Sequence, residues 1–193
     1  MKRISVFCGS SSGTNSIYSE ITFELGQTLA RRNIGVVFGG GKVGLMGQLA
    51  DGALDAGGEV IGVLPHFLQQ RELAHKKITQ LILVNSMHER KKKMDELSNG
   101  VIALPGGFGT LEELFEMLTW GQLGLHQKPI GILNIDGYYS SLLSLFESMV
   151  ENGFLKQENH EMVRVSNSIE NLLDKMKDYI APSVGKWISK DEL

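Results

Sequence analysis

Short apolar runs alternate with helical segments along nearly the whole chain, and this alternation restricts the fold more than any other feature. Strands without polar alternation are typical of a sheet that is covered on both faces. Each run is followed by a segment with helical spacing of its apolar residues, so we expect successive strands to lie parallel. The sequence therefore predicts an α/β fold: a Rossmann-like, doubly wound parallel sheet forming a single domain over residues 1–182, with a C-terminal tail at 183–193.

The boundaries of these elements are predicted from hydrophobic period and turn residues. In doubly wound sheets, ligands bind beyond the carboxyl ends of the strands, so the loops after the first, second, fourth and fifth strands are candidate binding segments. The predicted strands are residues 4–8, 35–38, 59–64, 81–84, 101–104, 129–135 and 162–165. The predicted helices are residues 16–32, 45–56, 87–97, 111–123, 138–150 and 169–179.

Composition excludes several classes of protein. Cys8 is the only cysteine in the sequence, which excludes an internal disulfide and a cysteine-based metal cluster. A net charge of -3 gives no global basic field for nucleic acid. We find no apolar run of about 18 residues and no signal-peptide pattern, so we expect a cytoplasmic protein without a membrane partner. The C-terminal sequence Lys190-Asp191-Glu192-Leu193 spells an ER-retention address, which we interpret as a chance match.

A glycine-rich turn separates the fifth predicted strand from the next helix. Gly106, Gly107 and Gly109 occupy three of four positions after Pro105, and a helical pattern starts at Thr110. Backbone N–H groups at such a helix start form a ready site for a phosphate. An alternative is a capping box, with Thr110 as N-cap and Glu113 reaching back to it. The spacing alone allows both.

A second glycine-rich loop follows the second predicted strand. Gly39, Gly41 and Gly44 match G-x-G-x-x-G, but the dinucleotide fingerprint follows a first strand and needs an acidic residue after the next one. A P-loop is excluded because Val43 stands where serine or threonine is needed. Two interpretations remain. The glycines, Gly40 included, either let a ligand approach the backbone or allow tight helix–sheet packing.

The loop after the first predicted strand, residues 9–13, contains glycine and three serines. Ser10 is small enough to allow a ligand close to the backbone. The alternative is a turn into the first helix, capped by one of these serines or by Asn15.

The basic segment at residues 87–94 is predicted to carry a buried cation. Met87 and Met94 lie on one stripe of the helix, and Arg90 and Lys91 lie along the same stripe. A cation directed at the sheet needs an anionic partner, and the planar guanidinium of Arg90 suits a phosphate or a carboxylate. The adjacent His88 is not followed by the second histidine of a zinc helix, so we predict no metal site.

Three motifs in order give the chain a resemblance to a known family. Residues 105–113 match P-G-G-x-G-T-x-x-E, and residues 87–91 and 39–47 complete the pattern. Together they resemble the Lonely Guy family of cytokinin riboside 5'-monophosphate phosphoribohydrolases, often labelled possible lysine decarboxylases. The resemblance implies hydrolysis of the N-glycosidic bond of adenosine 5'-monophosphates, N6-modified or not, releasing base and ribose 5-phosphate. It also implies a homodimer or a higher homo-oligomer, and we predict no cofactor.

Residue by residue, the resemblance implies Arg90 and Glu113 as the catalytic pair. The candidate substrate-binding residues are Glu72, Lys91, Gly107, Phe108, Gly109, Thr110, Glu112 and Thr119, to which the glycine and serine loops add Gly39, Gly40, Gly41 and Ser10. Two rival classes remain open. One is a non-catalytic carrier or sensor of a phosphorylated nucleotide or cofactor on the same fold, as in molybdenum cofactor carrier proteins. The other is a nicotinamide-dependent oxidoreductase, suggested only by the G-x-G-x-x-G match.

Overall fold

The computed structural model describes residues 1–69 and 74–182, and these contain a parallel β-sheet of seven strands. Every pairing between neighbouring strands is parallel, as predicted for a doubly wound sheet. The strands are β1 (Arg3–Phe7), β2 (Gly35–Phe38), β3 (Val60–Pro65), β4 (Gln80–Val84), β5 (Val101–Ala103), β6 (Ile130–Leu133) and β7 (Val163–Ser166). Their order across the sheet is β4-β3-β2-β1-β5-β6-β7.

Helices cover both faces of the sheet. They are α1 (Ser16–Arg31), α2 (Gly44–Asp55), α3 (Met87–Leu97), α4 (Phe108–Gln122), α5 (Ser140–Glu151), α6 (Gln157–His160) and α7 (Ile169–Lys177). One apolar core lies beneath α1, α2 and α7 and contains Leu25, Leu49 and Leu172. The other lies beneath α3, α4 and α5 and contains Met94 and Leu114. The inner strands β2, β3, β5 and β6 are buried on both faces between these layers, which explains their continuous apolar sequence. The edge strands β4 and β7 are partly exposed.

The order of the strands reverses between β1 and β5. From β1 the chain moves outward through β2, β3 and β4, and then returns to place β5 on the other side of β1. The loop after β1 leads to α1 on one face, whereas the loop after β5 leads to α4 on the other. Loops that diverge in this way leave a crevice at the carboxyl ends of the two strands.

Two helix starts differ from the sequence prediction by two or more residues, and both differences affect the crevice. α4 begins at Phe108 rather than at residue 111, because Gly107 already has the extended backbone of an N-cap. α5 begins at Ser140 rather than at residue 138. Asp136 and Gly137 have positive φ angles of 50° and 70°, so the backbone turns there and Tyr138 and Tyr139 precede the helix.

Some sequence predictions lie outside the described residues. They concern Glu72, the tail at residues 183–193 and the C-terminal tetrapeptide within that tail. Within residues 1–69 and 74–182, no helix combines the length and the apolar character needed to cross a bilayer. The same residues contain no cluster of three histidine, cysteine or acidic side chains placed to hold a metal ion.

The backbones of α1 and α2 approach each other closely at two glycines. A Cβ atom added to Gly52 would lie 2.1 Å from the carbonyl oxygen of Phe23, and one added to Gly26 would lie 2.3 Å from that of Leu49. Backbone atoms cannot yield as a flexible side chain would. The two glycines therefore set the distance between these helices.

We predict that Gly52→Ala lowers the free energy of unfolding by about 1–3 kcal/mol, because the new methyl group overpacks the helix interface. Urea unfolding followed by circular dichroism measures the effect. Gly109→Ala is the matched control, since a Cβ on this helical glycine meets no atom within 4 Å. Equal stability of the two variants would contradict the proposed close contact.

Candidate active site

A pocket of about 330 Å³ lies at the crevice between β1 and β5. Its walls are the loop of residues 9–13, the turn of residues 105–107, and the side chains of Tyr18, Leu45 and Tyr138. Ser10 is exposed on the first of these loops. The structure therefore brings the predicted serine loop and the Pro-Gly-Gly turn together at one site.

The Pro-Gly-Gly turn leads directly into the N-terminus of α4. Gly107 is the N-cap and no side chain caps the helix. The hydrogen bond from the Leu111 N–H to the Gly107 carbonyl, at 3.2 Å, closes the first turn, so the N–H groups of residues 108–110 precede the intrahelical bonds. These groups lie at the positive end of the helix dipole, where an anion is stabilised.

Gly107 and Gly109 are open to solvent. A Cβ atom at either position would meet nothing within 4 Å. Gly107 has a φ of -90°, and Gly109 does not have a positive φ, so neither backbone conformation requires glycine. Packing among the described residues therefore gives no reason for glycine at either position. Their small size is instead what a ligand in contact with the backbone would require.

The capping-box interpretation of Thr110 and Glu113 is wrong. Because α4 begins at Phe108, Thr110 lies inside its first turn, where it is buried. A Cβ atom added to Gly106 would lie 2.1 Å from the Thr110 hydroxyl oxygen, so these two residues pack tightly together. Glu113 is also buried and forms an ion pair instead of returning to the helix start.

The partner of Glu113 is Arg90 on α3. Their side chains approach to 3.1 Å, between Nη1 of Arg90 and Oε1 of Glu113, and are 9% and 10% exposed respectively. The Arg90 Nε also donates a hydrogen bond of 3.2 Å to the carbonyl oxygen of Val63 in β3. The predicted burial of Arg90 against an anion is therefore confirmed, and the anion within the chain is a carboxylate.

The start of α3 is well defined, which helps to orient Arg90. The Ser86 hydroxyl accepts a hydrogen bond of 3.1 Å from the Glu89 N–H. The Glu89 carboxylate accepts one of 2.7 Å from the Asn85 N–H. These bonds satisfy backbone donors near the helix start and hold the turn from which Arg90 projects.

The triple-glycine loop makes room for the Arg90 guanidinium. A Cβ atom on Gly39 would lie 2.2 Å from Nη2 of Arg90. Gly40 has a φ of 81°, and its carbonyl oxygen accepts a hydrogen bond of 2.9 Å from the His75 N–H. Gly41 forms an isolated bridge with Ala74. Packing thus accounts for Gly39 and Gly40, and contact of this loop with a substrate remains a proposal.

Lys91 links the same two helices at a more exposed position. Its ammonium group lies 2.5 Å from a carboxylate oxygen of Glu112 and 3.0 Å from one of Glu116. Burial lowers the pKa of Lys91, but hydrogen bonds to the two carboxylates outweigh this effect and the pKa is raised.

The remaining candidates on α4 lie on its exposed surface. Phe108 is 94% exposed beside the open glycines. Thr119 is seven residues after Glu112, on the same side of the helix, and its hydroxyl donates a hydrogen bond of 2.7 Å to the Phe115 carbonyl oxygen. The structure therefore places Thr119 about two turns from the Glu112–Lys91 contact.

Cys8 lies directly after β1, close enough to the ion pair to feel both charges. Burial raises the pKa of the Cys8 thiol above its usual range, and the negative charge of Glu113 adds to this effect, whereas Arg90 opposes it. The thiol is therefore neutral and unsuited to nucleophilic attack.

Two tyrosines that no sequence pattern identified contact the Pro-Gly-Gly turn and the residue that precedes it. The Tyr138 hydroxyl donates a hydrogen bond of 2.5 Å to the Gly106 carbonyl oxygen. The Tyr139 hydroxyl donates one of 2.6 Å to the Leu104 carbonyl oxygen. The Asp136-Gly137 dipeptide, which is typical of a turn, was the signal that these tyrosines precede a helix rather than belong to it.

Comparison with known proteins shows a family relationship over most of the chain. A family model described as "Possible lysine decarboxylase" matches residues 46–176. Cytokinin riboside 5'-monophosphate phosphoribohydrolase LOG1 of Arabidopsis thaliana is 46% identical, covering 93% of this chain and 84% of its own length. LOG3 of the same plant, with the same enzyme name, is also 46% identical, covering 92% and 83%.

A solved structure with a similar fold has a different description. It is the molybdenum cofactor binding protein from the phototrophic bacterium Rippkaea orientalis, which is 26% identical to this chain. The match covers 91% of this chain and 94% of that one, with a TM-score of 0.67. A similar architecture therefore occurs in a protein that is named for binding a cofactor and not for an enzymatic activity.

We predict that Arg90 and Glu113 are energetically coupled. Glu113→Gln should lower the free energy of unfolding by about 3 kcal/mol, because it leaves the guanidinium buried against a neutral amide. The double variant Arg90→Met/Glu113→Gln should lose less than the sum of the two single losses, because each single change already breaks the pair. Urea unfolding of the four proteins measures the coupling, and strictly additive losses would contradict it.

Proposed function

This chain belongs to the family described as possible lysine decarboxylase, and we propose that it is a nucleoside 5'-monophosphate phosphoribohydrolase. Its substrates are N6-modified adenosine 5'-monophosphates, and adenosine 5'-monophosphate itself. Water adds to C1' of the ribose, the bond from C1' to the base nitrogen breaks, and the base leaves with a proton. The observation that carries the proposal is the buried Arg90–Glu113 pair, whose carboxylate lies on the helix that begins with an open glycine turn.

The glycine turn holds the 5'-phosphate in this proposal. Gly107 and Gly109 leave the backbone N–H groups at the start of α4 uncovered, and the helix dipole favours the negative charge. Ser10, on the facing loop, offers a hydroxyl from the other wall of the pocket. Binding energy from the phosphate, remote from the reacting bond, then orients the ribose.

Glu113 acts on the ribose. Cleavage of an N-glycosidic bond develops positive charge on the sugar, and a carboxylate close to that charge stabilises it or assists the attacking water. Glu113 lies in the second turn of α4, so its carboxylate follows the phosphate site by about one helical turn. Burial beside Cys8 reduces the water around the carboxylate and strengthens its electrostatic effect.

Arg90 holds the Glu113 carboxylate in place. The guanidinium is anchored on the Val63 carbonyl and fills the space that Gly39 leaves. A group held at both ends moves little when the substrate arrives, so the carboxylate is aligned before the reaction. Arg90 also offers a positive charge to a substrate oxygen that comes close to the pair.

A carrier of a phosphorylated cofactor is the second candidate. The observation that favours it is the similarity to a molybdenum cofactor binding protein. The glycine turn serves either function, because both require a phosphate to be held. The buried carboxylate beside the turn distinguishes them: hydrolysis uses it directly, whereas a carrier does not need it.

Two further features of the proposal come from the sequence analysis. We expect the enzyme to act as a homodimer or a higher homo-oligomer, as the family resemblance implies, and to reside in the cytoplasm. Glu72, the remaining predicted substrate-binding residue, lies outside the described part of the chain. Its role in the proposal therefore rests on the sequence match alone.

We predict that Glu113→Gln lowers kcat/KM by about a hundredfold or more, because glutamine cannot stabilise positive charge on the sugar. The wild type and the variant are incubated with adenosine 5'-monophosphate and with isopentenyladenosine 5'-monophosphate, and the released base is quantified by chromatography. Glu24→Gln on α1, an exposed carboxylate, is the matched control and should retain full activity. Tight nucleotide binding without base release by the wild type would favour the carrier.

We also predict that Gly109→Ala raises KM for adenosine 5'-monophosphate about tenfold without lowering the free energy of unfolding. The methyl group occupies space that the chain leaves open and that the phosphate requires. A loss of about 1.4 kcal/mol in binding corresponds to this factor. Steady-state kinetics and urea unfolding measure the two effects, and an unchanged KM would place the phosphate elsewhere.

A further inference from the structure

Three successive carbonyl groups at the Pro-Gly-Gly turn are held by hydrogen bonds from outside the turn. Leu104, the residue before the turn, accepts a hydrogen bond from the Tyr139 hydroxyl, and Gly106 accepts one from the Tyr138 hydroxyl. Between them, the Pro105 carbonyl oxygen accepts a hydrogen bond of 3.0 Å from the Gly9 N–H. Glycine-rich turns are otherwise among the most adaptable segments of a chain.

Fixing these carbonyls also fixes the N–H groups of the turn. In a trans peptide the C=O of one residue and the N–H of the next lie in one plane and point in opposite directions. The bond to Tyr138 therefore sets the direction of the Gly107 N–H. The bond from Gly9 sets that of the Gly106 N–H in the same way. A phosphate that uses such donors needs them oriented before it arrives.

The two tyrosines are themselves firmly positioned. The positive φ angles of Asp136 and Gly137 turn the chain so that both tyrosines face the Pro-Gly-Gly turn. The Tyr139 N–H donates a hydrogen bond of 2.7 Å to the Asn134 side chain. The Tyr138 ring packs edge-on against those of Tyr18 and Tyr139, with centroid distances of 5.9 and 4.9 Å.

The protonation state of Tyr139 suits this contact. The side chain is 2% exposed. Burial, followed by the effect of Tyr138, raises the pKa of its phenol well above the usual range. The phenol therefore remains a hydrogen-bond donor across the physiological pH range. Tyr138 is 44% exposed and lines the pocket, so its hydroxyl fixes the turn from the ligand side.

We propose that Tyr138 is a positioning residue for the phosphate-binding turn, acting through the Gly106 carbonyl, with its ring packed against that of Tyr139. The proposal rests on the proposed function, in which this turn holds the 5'-phosphate. Tyr138 lowers the reorganisation that phosphate binding requires, because the Gly107 N–H already points in a fixed direction. The Leu104–Pro105 peptide that Tyr139 holds has no N–H, so Tyr139 anchors the start of the turn and orients no donor. The effect of Tyr138 is confined to the phosphate and does not reach the bond that is cleaved.

The test is Tyr138→Phe, which removes the hydroxyl and keeps the ring packing. Loss of one hydrogen bond should raise KM for adenosine 5'-monophosphate about threefold to tenfold, with kcat within about twofold of wild type. Turnover of adenosine, which lacks the phosphate, should not change. The ratio of kcat/KM for adenosine 5'-monophosphate to kcat/KM for adenosine should therefore fall by the same factor. Tyr179→Phe, on the ring beside Arg164, is the control and should leave every parameter unchanged.

A merely structural role predicts a different pattern. An equal loss with adenosine and with its 5'-monophosphate would overturn the proposal, as would an unchanged KM for the nucleotide. Tyr139→Phe provides a second variant, which should keep the wild-type nucleotide-to-nucleoside ratio because the Leu104–Pro105 peptide has no N–H to orient. Thermal unfolding shows whether either protein is destabilised. Because Tyr139 is buried, its variant is interpreted only through the nucleotide-to-nucleoside ratio, which a general loss of stability does not move.

Ribose 5-phosphate separates failure of this proposal from failure of the proposed function. Its affinity is measured by calorimetry for the wild type and for Tyr138→Phe. Weaker binding by the variant, in a wild type that releases no base, would overturn the hydrolase and support the positioning role. Equal binding by both proteins would overturn the positioning role whatever the catalytic result. Absence of binding by the wild type would overturn the positioning role, and base release alone would then decide the hydrolase.

Discussion

The buried ion pair between Arg90 and Glu113 is the interaction on which the rest of the site depends. Two charges in a poorly hydrated place are stable only with good geometry and further hydrogen bonds. The surrounding structure supplies both, through the Val63 carbonyl and the space left by Gly39. The pair thus ties α3 and α4 to the ends of β2 and β3. Lys91 forms a second, more exposed link between the same helices.

Helix α4 joins the two halves of the site. Its N-terminus carries the open glycines and the uncovered N–H groups, whereas its second turn carries the buried carboxylate. In the proposed function, this rigid helix keeps a fixed distance between the phosphate at Gly107 and the ribose at Glu113. The tyrosines after β6 extend this rigidity backward into the turn before the helix. A ligand therefore meets a surface whose donors and charges are already in place.

Sequence reasoning succeeded where a local pattern determines the structure. Continuous apolar runs predicted the parallel sheet, and the stripe through Met94 correctly predicted the burial of Arg90. The capping box that the spacing also allowed at Thr110 and Glu113 is not formed, because the helix begins three residues earlier than its pattern indicated. The role of Tyr138 was missed for another reason. Its partner, Gly106, is 32 residues away in sequence, and no local pattern records such a contact.

The sequence by itself determined the class of fold, the order of the elements and the glycine turn at a helix start, because hydrophobic period and turn residues act over a few neighbouring positions. Only the tertiary structure decided which charges meet and which glycines are open. Gly39 is filled by a side chain from α3, whereas Gly109 faces empty space, although both are simply glycines in a motif. The difference arises from packing between elements distant in sequence, and only the folded chain brings those elements together.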